Sequence, residues 1–143
     1  MQNLILIANI FSSFALSGLI WCVQMVHYPF FLRSDQVHFV EHIAFHKNRI
    51  SLIVAPLMIL ELVTSGILSF QSETHTGLNI FGFVVVILIW LVTFSVQVPL
   101  HGKLSNGYDE QTIQKLIQTN WIRTFLWTVK SFSSLYLLNA IMP

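Results

Sequence analysis

The chain has 143 residues, of which 55% are hydrophobic and only 9% charged, with a formal net charge of +1 and a mean hydropathy of +0.71. Soluble domains carry roughly 25% charged residues, so a water-soluble fold is excluded, and the lack of a basic tract argues against any nucleic-acid partner. The single cysteine, Cys22, permits no internal disulfide.

Four apolar stretches run 4–26, 50–70, 78–100 and 121–142. Each is about 21 to 23 residues long, enough to cross a hydrocarbon core of about 30 Å at about 1.5 Å per residue. The first has no Lys or Arg before Arg33 and is too long for a secretion signal's apolar region, so it reads as a retained span. It ends in Val23-Gln24-Met25-Val26-His27-Tyr28-Pro29. Residues 35–48 then suit a short interfacial helix capped by Ser34 or Asp35, with Val37, Val40 and Ala44 on its apolar surface. On that helix His38, His42 and His46 recur every fourth residue, forming one stripe flanked by Phe39 and Phe45.

The second span contains Pro56, which should bend it because proline cannot donate to the Leu52 carbonyl. It also carries Glu61, about 17 Å in from its start, while Lys130 lies about 14 Å into the fourth span, at about 1.5 Å per residue. An ionisable group at such depth rarely faces lipid, so Glu61 and Lys130 are expected to pair. That pair serves either as a substrate anchor or proton relay, or as a structural tie. Small residues spaced by four, Ser13 with Ser17 and Ser65 with Ser69, favour close helix approach. The turn from Gln71 to Gly77 holds His75 beside Glu73, which reads as solvated. The third span ends in Val96-Gln97-Val98-Pro99-Leu100-His101-Gly102. A polar linker then leads to Asn120-Trp121-Ile122-Arg123-Thr124 at the head of the fourth.

The spans consume nearly the whole chain. The expectation is therefore one integral membrane domain over residues 1–143: an all-α, four-transmembrane-helix bundle with a short interfacial helix between helices one and two. The Gln-to-His spacing at the ends of spans one and three, and the i, i+3 pairs His46 with Arg49 and Asn120 with Arg123, read as a weak pseudo-twofold repeat of two helical hairpins. In that repeat His27 and His101 are equivalent, and ligand groups lie at its interface. Of seven Lys and Arg, six (Arg33, Lys47, Arg49, Lys103, Lys115, Arg123) fall on the side of the loops between spans one and two and spans three and four. The positive-inside rule makes those loops cytoplasmic and leaves both termini outside.

Five of the six histidines, His27, His38, His42, His46 and His101, collect on that same side. Imidazoles four apart on a helix can share a metal ion, and zinc, copper and iron all accept them. His27, His42, His46 and His101 are the candidate ligands for iron or copper, with zinc less favoured. Three chemistries compete. His38-Phe39-Val40-Glu41-His42 matches the H-x-x-E-H pattern of a zinc hydrolase, with Glu41 as general base and Asp109 or Glu110 as the acidic ligand. Haem b held by His27 and His101 would make an electron-transfer protein. A mononuclear or mixed site including Glu41 suits a hydroxylase better than a di-iron centre, which needs about eight histidines.

On Gln97-Val98-Pro99-Leu100-His101 and Asn120-Trp121-Ile122-Arg123-Thr124, the chain resembles the anthrone-oxygenase-like family of small four-helix membrane proteins. Pro99 and Leu100 match the turn ending helix three and Trp121 and Arg123 the opening of helix four, while His101 stands where the family tends to have Asn. The resemblance covers the four-helix layout and, in its motifs, the second half; it implies an oxidative function within the bilayer.

The leading expectation is thus a metal-dependent membrane oxidoreductase, an oxygenase or hydroxylase, acting on an apolar substrate that enters from the lipid. Tyr28 and Glu41 would act as proton donors or support the ligands, and Gln24, Gln97, Asn120 and Arg123 would orient the imidazoles, cofactor or substrate. A non-catalytic scaffold or subunit is the alternative from another class, and a homo-oligomer is compatible with either.

Overall fold

The computed structural model describes residues 2–71 and 75–141. Glu73 and the end of the expected fourth span lie outside the described residues. Among those described, every regular element is helical: α1 (Gln2–Cys22), a π-helical turn (Val23–His27), α2 (Tyr28–Phe31), α3 (Phe39–Gln71), α4 (Thr76–Val92), a second π-helical turn (Thr93–Gln97), α5 (Val98–Leu104) and α6 (Glu110–Ile141). The pieces join into four rods. Three of them, Asn3–Phe31, Phe39–Gln71 and Thr76–Leu104, are long and apolar enough to cross a membrane. The chain is therefore a multi-pass membrane protein.

The side chains are distributed as lipid solvation requires. Leu4, Ile7, Phe11, Val63, Leu91 and Phe125 face outward, whereas Asn9, Ser12, Ser13, Glu61, Thr64 and Lys130 are buried. In water such an arrangement would expose a large apolar surface; in a bilayer it places polar groups where partners exist. The rods pack as a ring, α1 on α3 and α6, and α4 on α3 and α6. Along its length run a terminal apolar cluster (Leu6, Leu68, Leu137), a belt of polar side chains, and a larger apolar core that includes Phe31, Phe39, Ile43, Leu104 and Leu116 at the loop end.

The interfacial helix does not form as a separate element. The chain turns over residues 34–38, then α3 runs unbroken from Phe39 through Pro56 to Gln71. Phe39 and Ile43 are fully buried, with the Phe39 ring 6.1 Å from Phe31 and 5.2 Å from Tyr108. These anchors draw the segment into the bundle as the first turns of the spanning helix. Asp35 orders the preceding turn by accepting the Val37 amide at 3.0 Å.

Both π turns precede a proline. The Tyr28 amide donates to the Val23 carbonyl and the Val98 amide to the Thr93 carbonyl, five residues back in each case. The proline that follows each of them, Pro29 or Pro99, lacks an N–H and crowds the α-helical carbonyl ladder; one extra residue in the turn relieves this. Aligning Pro29 with Pro99 sets His27 opposite Gln97, four positions away from the pairing of His27 with His101 expected from sequence. The two glutamines also fail to exchange under a twofold, because both Gln24 and Gln97 bond to α6, at Ile117 and Thr119.

Candidate functional site

A cavity of about 560 Å³ lies between the rods in the loop-side half of the bundle, within the range of small-molecule sites. Its walls are largely apolar, with Leu16, Leu19, Ile20, Val54, Met58, Trp90 and Trp127 among them. Its polar end gathers Tyr28, His46, Lys47, Gln97, His101 and Arg123. Ser51, Ala55 and Ile59 on α3 and Phe94, Val98 and Gly102 on the third rod line it and are themselves exposed. The cavity thus opens sideways between α3 and the third rod, toward lipid.

The polar end is built by helix ends. The π turn and Pro99 present His101 inward, and its Nδ1 lies 2.8 Å from the Gln97 carbonyl. A carbonyl only accepts, so Nδ1 carries the proton and the neutral ring keeps its lone pair on Nε2. Gln97 is 1% exposed and donates through Nε2 to the Thr119 hydroxyl at 3.0 Å. That hydroxyl spends its own proton on the Lys115 carbonyl at 2.7 Å, which fixes the amide orientation and leaves Gln97 Oε1 without a partner. Arg123 lies beside the Tyr28 hydroxyl with its guanidinium 5.1 Å from the Trp127 ring centroid. Its Nε and the Trp90 Nε1 are also buried without partners. The cavity therefore offers a ligand two donors, Arg123 and Trp90, and an acceptor, Gln97, beside the His101 lone pair.

The histidines are only partly brought together. His46 lies 5.6 Å from His27, 6.2 Å from His101 and 6.2 Å from Tyr28, between ring centroids. The His46 and His101 planes are parallel within 6° and stacked, so their in-plane lone pairs do not meet at one point. His42 is exposed and has no ring contact with the others. Among the described residues no three His, Cys, Asp or Glu side chains converge on a common metal position. Four-residue spacing aligns His42 with His46 along α3, but His42 is exposed and only His46 is partly buried and lines the cavity.

His27 is exposed and does not line the cavity, so the pair expected to bind haem does not frame it. In the H-x-x-E-H segment, His38 precedes α3 and binds Asp35 at 2.7 Å, while Glu41 and His42 point outward. Asp35 is held below the usual carboxylate range by the His38 ring and then the Val37 amide, and His38 is correspondingly raised by Asp35. Asp109 caps α6. The Thr112 hydroxyl, followed by the amides of Gln111 and Thr112, holds its carboxyl low. Glu110 is exposed and bonds Gln114 at 3.1 Å.

Gln24 and Asn120 form a tie rather than a cavity wall: Asn120 Nδ2 donates to Gln24 Oε1 at 2.8 Å, and Gln24 Nε2 to the Ile117 carbonyl at 3.2 Å. Glu61 and Lys130 occupy one polar belt without a direct ion pair. Ser13 and Trp127 donate to the two Glu61 oxygens at 2.8 and 3.0 Å. Lys130 donates to Asn9 Oδ1 and Ser134, both at 2.9 Å. Asn9 is the hub, donating in turn to Thr64 at 2.9 Å and Ser65 at 2.8 Å. Sequence reasoning passed over Asn9, Lys47, Trp90 and Trp127. An amide within an otherwise apolar stretch was the available signal for Asn9.

No family profile, curated protein or solved structure matches this chain.

Proposed function

We propose that the chain is a four-span membrane oxidoreductase that admits an apolar small molecule from the lipid and oxidises it in the cavity, with His101 as base. The fourth span is α6, whose Trp121, Phe125, Phe132 and Leu135 face outward like the lipid-facing residues of the other rods. The charge distribution supports cytoplasmic loops and external termini. The observation that carries the reading is the His101 Nε2 lone pair, set by the Nδ1 bond to Gln97 at the polar end of a lipid-facing cavity.

The chain's own side chains at the polar end supply a base and donors for a developing charge. His101 Nε2 takes a proton from an acidic C–H of the substrate. Trp90 Nε1, a buried donor without a partner, and Arg123, supported by Tyr28, are the donors available to the substrate oxygens as negative charge builds on them. The electron pair of the broken C–H bond passes to dioxygen and forms a C–O bond, and the imidazolium returns its proton to the distal oxygen. Substrate and dioxygen thus give a hydroperoxide, with atoms and electrons balanced. Gln97 Oε1 accepts from a substrate hydroxyl and fixes its orientation. The resemblance of the second half to anthrone-oxygenase-like proteins supports an oxidative function within the bilayer, while His101, where that family tends to have Asn, is this chain's own departure. The test is dioxygen uptake by the protein in vesicles with a lipophilic polycyclic phenol, compared with His101→Ala; uptake that is equal in the two, or absent from both, defeats the reading.

A further inference from the structure

Three charged side chains are buried among the described residues: Glu61 at 1%, Lys130 at 3% and Arg123 at 7% exposure. One carboxylate therefore stands against two cations. Glu61 is committed to the polar belt on the Lys130 side, through Ser13 and Trp127. Arg123 lies toward the cavity, where its close companions, Tyr28 and the Trp127 ring, are neutral. A guanidinium keeps its proton in any protein environment. Ring and hydroxyl contacts solvate it in part but leave its charge uncancelled.

The cavity supplies no counter-ion of its own. Among the described residues no Asp or Glu lines it, whereas Lys47 does, at the loop-side end, with Nζ donating to Ser105 at 2.8 Å. His46 and His101 complete that end. A low-dielectric pocket with cations and no anion among its walls holds a positive potential that concentrates negative ligands. The unpartnered, nine-tenths buried Arg123 Nε gives that potential a definite point of contact.

We propose that the ligand of this cavity is an amphipathic anion, its single negatively charged oxygen seated on Arg123 and its apolar body lying among Leu16, Val54, Met58 and Trp90. The inference rests on the reading of this cavity as the substrate site and names the substrate's class: an acidic lipophile, a phenol or a carboxylic acid, bound in its ionised form. Lys47 attracts it from the loop-side end of the cavity, and Arg123 neutralises it.

The experiment uses the full chain in vesicles of zwitterionic lipid and two probes with the same long alkyl chain, a nitrophenol and its methyl ether. The nitrophenolate absorbs in the visible, so the ionisation state of the bound probe is read directly. The wild-type protein should bind the phenol at least about tenfold more tightly than the ether, a difference of about 1.4 kcal/mol. It should also lower the phenol's apparent pKa relative to protein-free vesicles. Arg123→Gln should bring the affinity ratio close to one. Equal binding of phenol and ether by the wild-type protein, or a bound phenol that stays neutral, overturns the proposal without reference to any variant. Competition by a long-chain fatty acid, absent with its methyl ester, assigns a carboxylate; anion selection without that competition assigns a phenolate.

Anion selection without dioxygen uptake would preserve this inference and remove the oxidase chemistry. His101-dependent uptake with no preference for the anion would do the reverse.

Discussion

Replacing Asn9 with Ala removes the hub of the polar belt. The variant loses the interhelical bonds to Thr64 and Ser65, at 2.9 and 2.8 Å, and strips Lys130 of its acceptor on α1 at 2.9 Å, leaving the ammonium with Ser134. An interhelical hydrogen bond in a membrane protein contributes about 0.6 kcal/mol on average, and one to a charged group about 1.5–3 kcal/mol. Asn9→Ala should therefore destabilise the bundle by about 3–4 kcal/mol. Asn139→Ala, at an exposed position on α6, should stay within about 0.5 kcal/mol. Reversible unfolding in mixed micelles of rising dodecyl sulfate content, followed by tryptophan fluorescence, reads both. A loss below about 1 kcal/mol for Asn9→Ala would refute the assignment of the belt as the tie between α1, α3 and α6.

Two further outcomes follow from the loops. Asp35→Asn should return the His38 pKa toward that of an ordinary histidine, read by NMR titration of its ring protons. In the native chain His38 is raised and Asp35 lowered. Their contact is therefore complete between the ordinary carboxylate and histidine ranges, and is lost as pH rises through the raised His38 value or falls through the lowered Asp35 value. Asp109→Ala removes the acceptor for the Gln111 amide and the Thr112 hydroxyl at the start of α6; it should cost about 1 kcal/mol in the same unfolding assay, as lost N-caps do.

Three of the spans were legible because lipid solvation acts on composition, and hydropathy reads it directly. Which face of each helix turns inward was less so. Glu61 and Lys130 lie at matching depth, yet their side chains find separate partners, Ser13 and Trp127 for one and Asn9 and Ser134 for the other, and those partners depend on the rotation of α1 against α3 and α6. The interfacial helix failed for a similar reason: its polar residues suit a membrane surface, but Phe39 and Ile43 find a buried seat that only the assembled bundle supplies. The π turns shift hydrogen-bond register without a strong mark in composition; Pro29 and Pro99 were their only trace.

Within the site, His46, His101, Tyr28, Gln97 and Arg123 could be anticipated because helix ends on one face must converge. His42 and Glu41 could not be separated from them, since an i, i+4 stripe does not say where a helix begins to tilt inward. The lack of a lining carboxylate, on which the charge argument turns, is a property of the folded cavity alone.

The central claim is that His101 acts as a base on a molecule bound in the cavity, and dioxygen consumption tests it most directly. With the protein in vesicles and a lipophilic polycyclic phenol under isotopically labelled dioxygen, the wild-type chain should incorporate label into the probe, and His101→Ala should lose at least about a hundredfold of that rate, as expected for loss of a general base. Incorporation that proceeds equally in the variant, or never exceeds that of protein-free vesicles, would contradict it.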